Sequence, residues 1–361
     1  MAGRALIVGV GDLGQRYAWA LTSQGLVDEL ILAGGGKGRG AELAALIESS
    51  HAVPIRYLPL DATRQGNVEG LLRREKPDLV LQCASLLSPW EILAGDAPRI
   101  RAMRSAGVGI QLAAQLPILV SVMAAARAVN LAGPVINLSW PDGTHPIMSR
   151  LGLAPALGLG NATMIWARVR AALRRHAFET GAAPSEPPLI RILGDSSTLW
   201  AVLSCARPER AEHGCRVYLG EGGQRGEEWA YRGAPLESGA HLNALTCASS
   251  MPVVAALLPG GPAVRASCPG VSGLPGGYPI RVEGGKIAFD LPPNLALEDA
   301  VAFNQSLAGD DGIARIEADG TVIYTERACA IMAGIDPVLA EPLDPLRALD
   351  RFPRLVAALT P

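Results

Sequence analysis

Residues 5–39 read ALIVGVGDLGQRYAWALTSQGLVDELILAGGGKGR, and this stretch decides the fold class. It opens with ALIVGV, a short apolar run with the character of a strand, which leads into Gly9-Val10-Gly11-Asp12-Leu13-Gly14. Leu13, Tyr17, Ala20 and Leu21 then fall on one face of a helix that stops at Gly25, and residues 29–33 form a second strand-like run. Strand, glycine turn, helix and strand within about 30 residues is the setting in which G-x-G-x-x-G binds a dinucleotide diphosphate. Gly9 permits the tight turn, Gly11 lets the backbone approach the diphosphate, and Gly14 lets helix and strand pack closely. The amides around Asp12 and Leu13, at the positive end of the helix dipole, face the phosphates.

The end of the second strand bears on which dinucleotide. An NAD site carries Asp or Glu there, about 20 residues after the glycines, to hold the ribose hydroxyls. Here the strand runs into Ala33-Gly34-Gly35-Gly36-Lys37-Gly38-Arg39, with no carboxylate and two cations. A 2′-phosphate suits Lys37 and Arg39 better than a free hydroxyl. NADP is therefore the expected cofactor, with NAD as the alternative.

The same rhythm continues along the chain. Residues 56–60, 78–83, 134–138 and 156–159 read as further strands, with helices over 67–74 and 110–130. Ligands bind beyond the carboxyl ends of such strands, which brings Ala84, Ser85 and Ser139 to the cofactor. The expected class is α/β: a Rossmann, doubly wound parallel sheet over residues 1–160, then an α+β substrate and oligomerisation domain over 161–361.

This order of landmarks resembles the lactate/malate dehydrogenase superfamily. GVGDLGQRYAWALTSQGLVDELIL is similar to that family's first strand, glycine loop and helix. INLSWPDGTHPIM and then APALGLGNATMIWARVR stand where it carries its Asn-Pro-Val-Asp strand end and the next helix. RILGDSSTLWAVL is similar to the segment of its catalytic histidine, and GGYPIRVEGGKIAFDLP with LEDAVAFNQS to its C-terminal sheet and last helix. The resemblance implies a nicotinamide cofactor and a substrate cleft between two domains. The family's catalytic residues do not carry over. Leu193 replaces the histidine, Met164 or Ile165 the aspartate, and Trp140 the asparagine of the fifth strand. Arg99, Arg101 and Arg104 lie in the substrate loop without matching its arginine pattern. A substrate other than lactate or malate is implied.

The most suggestive replacement is Ser139-Trp140-Pro141-Asp142-Gly143-Thr144-His145, which leaves a central strand at its carboxyl end. His145 titrates in the right range to give a proton to a carbonyl or imine, with Asp142 orienting it, although PDGT is also a plain turn sequence. Asp195, with Ser196, occupies the segment of the family's acid/base, the alternative being a turn between strands. Trp140 and Asn161 are candidate substrate contacts, and Asn161 is also a candidate helix cap. His241 opens an apolar helical stretch, 242–258, expected to line the cleft.

Composition bounds the rest. The 361 residues suit two domains, and 49% hydrophobic with 18% charged residues is globular. A formal net charge of −2 gives no bulk attraction to nucleic acid or anionic lipid. The 6 cysteines form no CxxC pair and no metal-ligand spacing, which fits a reducing compartment. With a strand so soon after Met1, no secretory leader is expected, and the cytoplasm is the expected location. Residues 110–129 are oily but contain Gln111, Gln115, Pro117 and Arg127, so a buried helix is expected rather than a membrane span. Residues 259–277, rich in Gly and Pro, are expected to be irregular. Hairpins are expected around Gly284-Gly285 and Asp319-Gly320. The extension over 336–361 is expected to cover the cleft or to bind a second copy, giving a homodimer or higher homo-oligomer. The leading expectation is an NAD(P)-dependent oxidoreductase passing a hydride to a small-molecule carbonyl or imine. The alternative is a non-catalytic, dinucleotide-binding relative kept as a scaffold or sensor.

Overall fold

The computed structural model describes residues 3–36, 38–181 and 187–359. The opening apolar run becomes β1 (Gly3–Val8), followed by α1 (Asp12–Ser23), β2 (Val27–Gly34), α2 (Arg39–Ser50), β3 (Ile55–Pro59), α3 (Gln65–Glu75) and β4 (Leu79–Gln82). Then come α4 (Trp90–Leu93), α5 (Pro98–Ser105), α6 (Leu112–Ala128), β5 (Val135–Asn137), α7 (Pro141–Arg150) and β6 (Leu157–Gly158). The strands form one 6-stranded parallel sheet in the order β3-β2-β1-β4-β5-β6. This is the doubly wound order, and the chain reverses direction across the sheet between β1 and β4, where a crevice opens at the strand ends.

Successive residues of β1 point to opposite faces, and both faces are buried. Ala5 and Ile7 pack with Tyr17, Leu21 and Ile47 on one side. Leu6 and Val8 pack with Val68, Leu72, Ile118 and Val122 on the other. A strand apolar on both faces is stable only when helices cover both. The sequence expectation of an α/β Rossmann fold is met.

The second half contains α8 (Asn161–Glu179), β7 (Ile190–Leu193), α9 (Ser196–Leu203), β8 (Arg216–Leu219), β9 (Gln224–Arg225) and α10 (Leu242–Leu257). It continues with β10 (Val264–Pro269), β11 (Gly277–Glu283), β12 (Lys286–Phe289), α11 (Leu297–Leu307), β13 (Ile313–Ile316), β14 (Val322–Tyr324), α12 (Glu326–Ala333) and α13 (Ala348–Leu359). β7-β8-β9, β10-β11-β12 and β13-β14 are small antiparallel sheets. β10 corrects the expectation of irregular chain over 259–277. Its backbone pairs with β11 from Val264↔Val282 to Pro269↔Gly277. Pro269 ends the strand, where a missing N–H costs least.

Two further findings concern α6. With the turn before it, Val108–Ala128 is the 1 helix among the described residues long and apolar enough to cross a membrane. It is instead packed inside the protein, with Ile118 and Val122 on the sheet. Leu112, Leu116 and Leu119 pack against Leu355 and Ala358 of α13. The C-terminal extension therefore sits on α6. None of its described residues lines the cleft, which corrects the expectation of a cover.

Candidate functional site

The carboxyl ends of the parallel strands, with the start of α9 and part of α10, border a cavity of about 760 Å³. Gly9 has φ of +100°, and a side chain there would bring Cβ within 2.7 Å of the Ala84 amide nitrogen. The glycine turn and the loop after β4 are thus in contact. At Gly14 a Cβ would land on the carbonyl oxygen of Gly9. At Gly11 a Cβ would meet nothing within 4 Å. That open space belongs to the cavity, which Gly9, Gly11, Asp12 and Leu13 line. No side chain caps α1. An uncapped helix N-terminus facing a space that only a glycine leaves clear fits a dinucleotide diphosphate.

Beyond β2 the cavity wall is Gly34, Gly35 and Gly36, and then Arg39. The Tyr57 hydroxyl lies 2.7 and 2.9 Å from the Gly34 and Gly36 carbonyl oxygens and shares its one proton between them, fixing this loop. Lys37, expected beside Arg39, lies outside the described residues. Asp61 also borders this end, and the Thr63 hydroxyl holds its carboxyl below the usual range.

At the other end, Ala84, Ser85, Ser139, Trp140 and Asn161 line the cavity. Ser85 donates to the Leu87 carbonyl at 2.7 Å, and Ser139 to Gln115 Oε1 at 2.6 Å. Trp140 is held at φ +43°. A bulky residue in the left-handed region costs on the order of 1 kcal/mol or more and persists only where its surroundings hold it. Here the indole Nε1–H donates to Ser196 Oγ at 3.1 Å, and that oxygen lies 2.6 Å from Asp311 Oδ2.

The expected proton donor is placed differently. Residues 139–145 are not a loop: α7 begins at Pro141, with Asp142 in its first turn. Proline at the first helical position and an acid beside it are helix-start signals that the turn reading of PDGT passed over. The helix turns His145 inward, where it is 0% exposed and outside the cavity lining. Its Nδ1–H donates to the Gly270 carbonyl at 2.6 Å, and Nε2 is buried without a partner. Burial lowers its pKa to about 4. Asp142 does not orient it. Its carboxyl group instead accepts a hydrogen bond from Asn161 Nδ2. The expected His145–Asp142 pair does not form.

Asn161 is also corrected as a cap. Gly160 takes the N-cap position of α8, and the Asn161 amide reaches Asp142. Asp195 caps α9, accepting from the Thr198 amide at 3.1 Å and Ser197 Oγ at 2.7 Å. It faces a second cavity rather than the first. Ser196, next in the chain, does line the first cavity. His241 precedes α10, which contributes Asn243 and Thr246 to that lining.

The second cavity, about 690 Å³, is bordered by Asp142, Asp195, Asn304 and Asp311, with Arg150 and Arg315. Burial, then the charge of Asp195, raises the Asp142 pKa to about 8. The same causes, in the same order, raise Asp311 well above the carboxylate range. Burial raises Asp195 too. Because the folded state holds the Asp142 proton more tightly, its stabilising contribution is full below the ordinary pKa of 3.8 and is lost as pH rises through about 8. Asp142→Asn removes that loss. Relative to wild type, the variant is expected to gain roughly 2–4 kcal/mol more at pH 8.5 than at pH 5. Denaturant melts at the two pH values measure it, and an equal difference at both would refute the burial of an ionisable acid here.

Sequence reading missed Asp311, which looks like part of an Asp-Asp-Gly turn and lies 115 positions from its partner Ser196. It also passed over Gln111 and Gln115, which sit one turn apart on an oily helix and both line the cavity. Their spacing was the readable signal.

Known structures share this architecture. A lactate dehydrogenase, MGS-M5, from a Medee basin deep-sea metagenome library matches 85% of this chain and 96% of its own at 14% identity, with a TM-score of 0.50. Malate dehydrogenase from Plasmodium falciparum matches 85% and 96% at 13% identity and 0.53. Lactate dehydrogenase from Eimeria maxima, determined with NADH and oxamate, matches 85% and 91% at 14% identity and 0.53. The chain has the lactate/malate dehydrogenase fold. The resemblance drawn from the sequence is met at that level. No protein-family model matches the sequence, and no curated protein does. Identities this low show the dehydrogenase fold alone. The side chains within it are this chain's own, with Leu193 at the end of β7 and Ser196 opening the helix that follows.

Proposed function

We propose that this chain is an oxidoreductase that binds NADP, or less favourably NAD, in the larger cavity and reduces a carbonyl or imine there. The observation that carries the reading is the uncapped start of α1 beside Gly11, open to a cavity large enough for a dinucleotide and a small substrate.

The amides of Gly11, Asp12 and Leu13 would hold the diphosphate, Ala84 and Ser85 would border the nicotinamide side, and Arg39 would pair with a 2′-phosphate. When bound, the reduced dinucleotide supplies a hydride to the substrate's C=O or C=N carbon. Ser196 Oγ delivers the proton to the oxygen or nitrogen as negative charge develops there. Trp140 Nε1–H donates to the same Oγ and stabilises it as its proton leaves. Asp311, kept protonated by burial, then returns a proton to Ser196 across 2.6 Å. Its position on the second cavity gives the relay a route to solvent. The cysteines are free in the described structure, which supports a reducing, cytoplasmic setting. A homo-oligomer remains part of the proposal, read by the mass in solution.

Calorimetric titration with NADPH and with NADH tests the reading, and the absence of binding at millimolar concentration for both would overturn it. Arg39→Glu tests the cofactor preference. Losing a charge-assisted contact to phosphate is expected to weaken NADPH by about 10–100-fold. NADH should change by less than about 3-fold, since surface charge alone is worth little. An equal loss for both would remove Arg39 from the 2′-phosphate.

A further inference from the structure

We infer that the substrate is an uncharged, ring-bearing ketone or aldehyde (the corresponding alcohol in the reverse direction), gripped between tryptophan walls and hydrogen-bonded by Gln111. This rests on the oxidoreductase reading and narrows it to one substrate class.

The distribution of charge in the larger cavity is uneven. Among the described residues, its charged lining side chains are Asp12, Arg39 and Asp61. They follow β1, β2 and β3, and Asp12, which reaches the tryptophan end through Asn243, is itself an anion paired with Arg16. From Ser139 onward to Trp200 the described lining holds no charged side chain. Arg99, Arg101 and Arg104 lie on α5 rather than in the loop the sequence suggested, and are turned to other partners. Arg101 pairs with Asp96, Arg104 donates to the Leu93 and Gly95 carbonyls, and Arg99 reaches the Ile335 carbonyl at 3.5 Å. A substrate carboxylate would have to leave water for a site with no cation to receive it, and burial of an unpaired charge is the most costly transfer a pocket can ask for.

What the substrate end offers is aromatic surface. Trp90, Trp140 and Trp200 all line it. Trp90 and Trp200 meet edge to face, with ring centroids 6.2 Å apart and an interplanar angle of 83°. Trp90 Nε1 donates to Asn243 Oδ1 at 3.3 Å, and Trp140 is tethered to Ser196. Indoles fixed in this way hold a flat ring with little ordering cost.

Among the described lining residues, one buried side-chain donor is left over. Gln111 is 1% exposed and lines the cavity, and its Nε2 is buried with no hydrogen-bond partner. A buried donor left unmade is expensive, so the position calls for an acceptor supplied by a ligand. Gln115, one turn on, is already committed: its Oε1 accepts from Ser139, and its Nε2 reaches the Leu87 carbonyl at 3.4 Å. Gln111 is therefore placed to read a second, neutral acceptor on the substrate ring, while Ser196 addresses the reacting carbonyl.

Tryptophan fluorescence titrations with para-methoxyacetophenone, acetophenone and phenylpyruvate, each with and without NADPH, test this. The methoxy ketone is expected to quench saturably and to be reduced by NADPH. Phenylpyruvate, a ring of the same kind with a carboxylate, is expected to bind about 100-fold more weakly or worse. Gln111→Leu should weaken the methoxy ketone by about 10-fold and leave acetophenone within about 2-fold, because only the former loses an acceptor contact. Phenylpyruvate binding as tightly as the neutral ketones would overturn the inference, and so would a Gln111→Leu variant that treats both ketones alike. A protein that binds no NADPH but still prefers the neutral ketones would refute the oxidoreductase reading and leave the pocket assignment standing.

Discussion

Ser196→Ala is expected to lower kcat by about 10²–10⁴-fold with little change in KM, the signature of a lost proton-transfer group. The serine hydroxyl joins the larger cavity to a buried acid whose pKa is raised: its Oγ is 2.6 Å from Asp311 and accepts from Trp140 at 3.1 Å. Alanine removes both contacts without adding bulk, so the dinucleotide site should bind as before. Asp311→Asn is the companion variant. It preserves the size of the side chain and one oxygen for Ser196 but cannot resupply the proton. In the proposed relay Asp311 must be protonated, so the wild-type kcat is expected to fall as pH rises through its elevated pKa, and the asparagine variant should lose that slope. A stopped-flow measurement of NADPH oxidation against pH reads both. An alanine variant within a factor of about 3 of wild type would place the proton source elsewhere, since that is too small for general acid catalysis.

Gly11→Val is expected to abolish dinucleotide binding while leaving the fold intact. The residue has φ −71° and ψ −173°, ordinary for any amino acid, and the space over it is empty of protein atoms. Stability should fall by about 1 kcal/mol, because valine is a far poorer N-cap residue than glycine. The valine methyls would stand where the diphosphate must approach, and NADPH affinity is expected to drop at least about 100-fold as the backbone contacts are lost. Gly14→Ala provides the contrast. Its Cβ would collide with the Gly9 carbonyl, and backbone cannot move aside as a flexible side chain can. That variant should lose about 1–3 kcal/mol of stability, the cost of overpacking, as well as binding. Calorimetry paired with thermal melts separates the two. A Gly11→Val protein that still takes up NADPH at wild-type affinity would remove the diphosphate from this loop.

The features legible in the chain are those encoded over short distances. ALIVGV, the spacing of Gly9, Gly11 and Gly14, and the run 29–33 specify strand, turn, helix and strand locally, because alternation, helical period and left-handed turns are properties of neighbouring residues. Repeating that unit leaves few sheet orders open, since crossovers between parallel strands share one hand. The doubly wound sheet and the crevice at its strand ends follow. Even the start of α7 was written in Pro141-Asp142, though it reads equally well as a turn.

The chemistry of the crevice is of another kind. Whether His145 faces a substrate or a backbone carbonyl depends on whether Pro141 opens a helix and on where Gly270 lies, 125 positions away. Whether Ser196 is a plain helix residue or one end of a proton relay depends on Asp311 at the far side of the second half. Whether Asp142 is a charged surface acid or a buried acid ionising near 8 depends on its burial and on Asp195, which arrives from a different element. Desolvation and pairing energies are set by what surrounds a group in three dimensions, and those surroundings are assembled from segments whose separation along the chain carries no local signal.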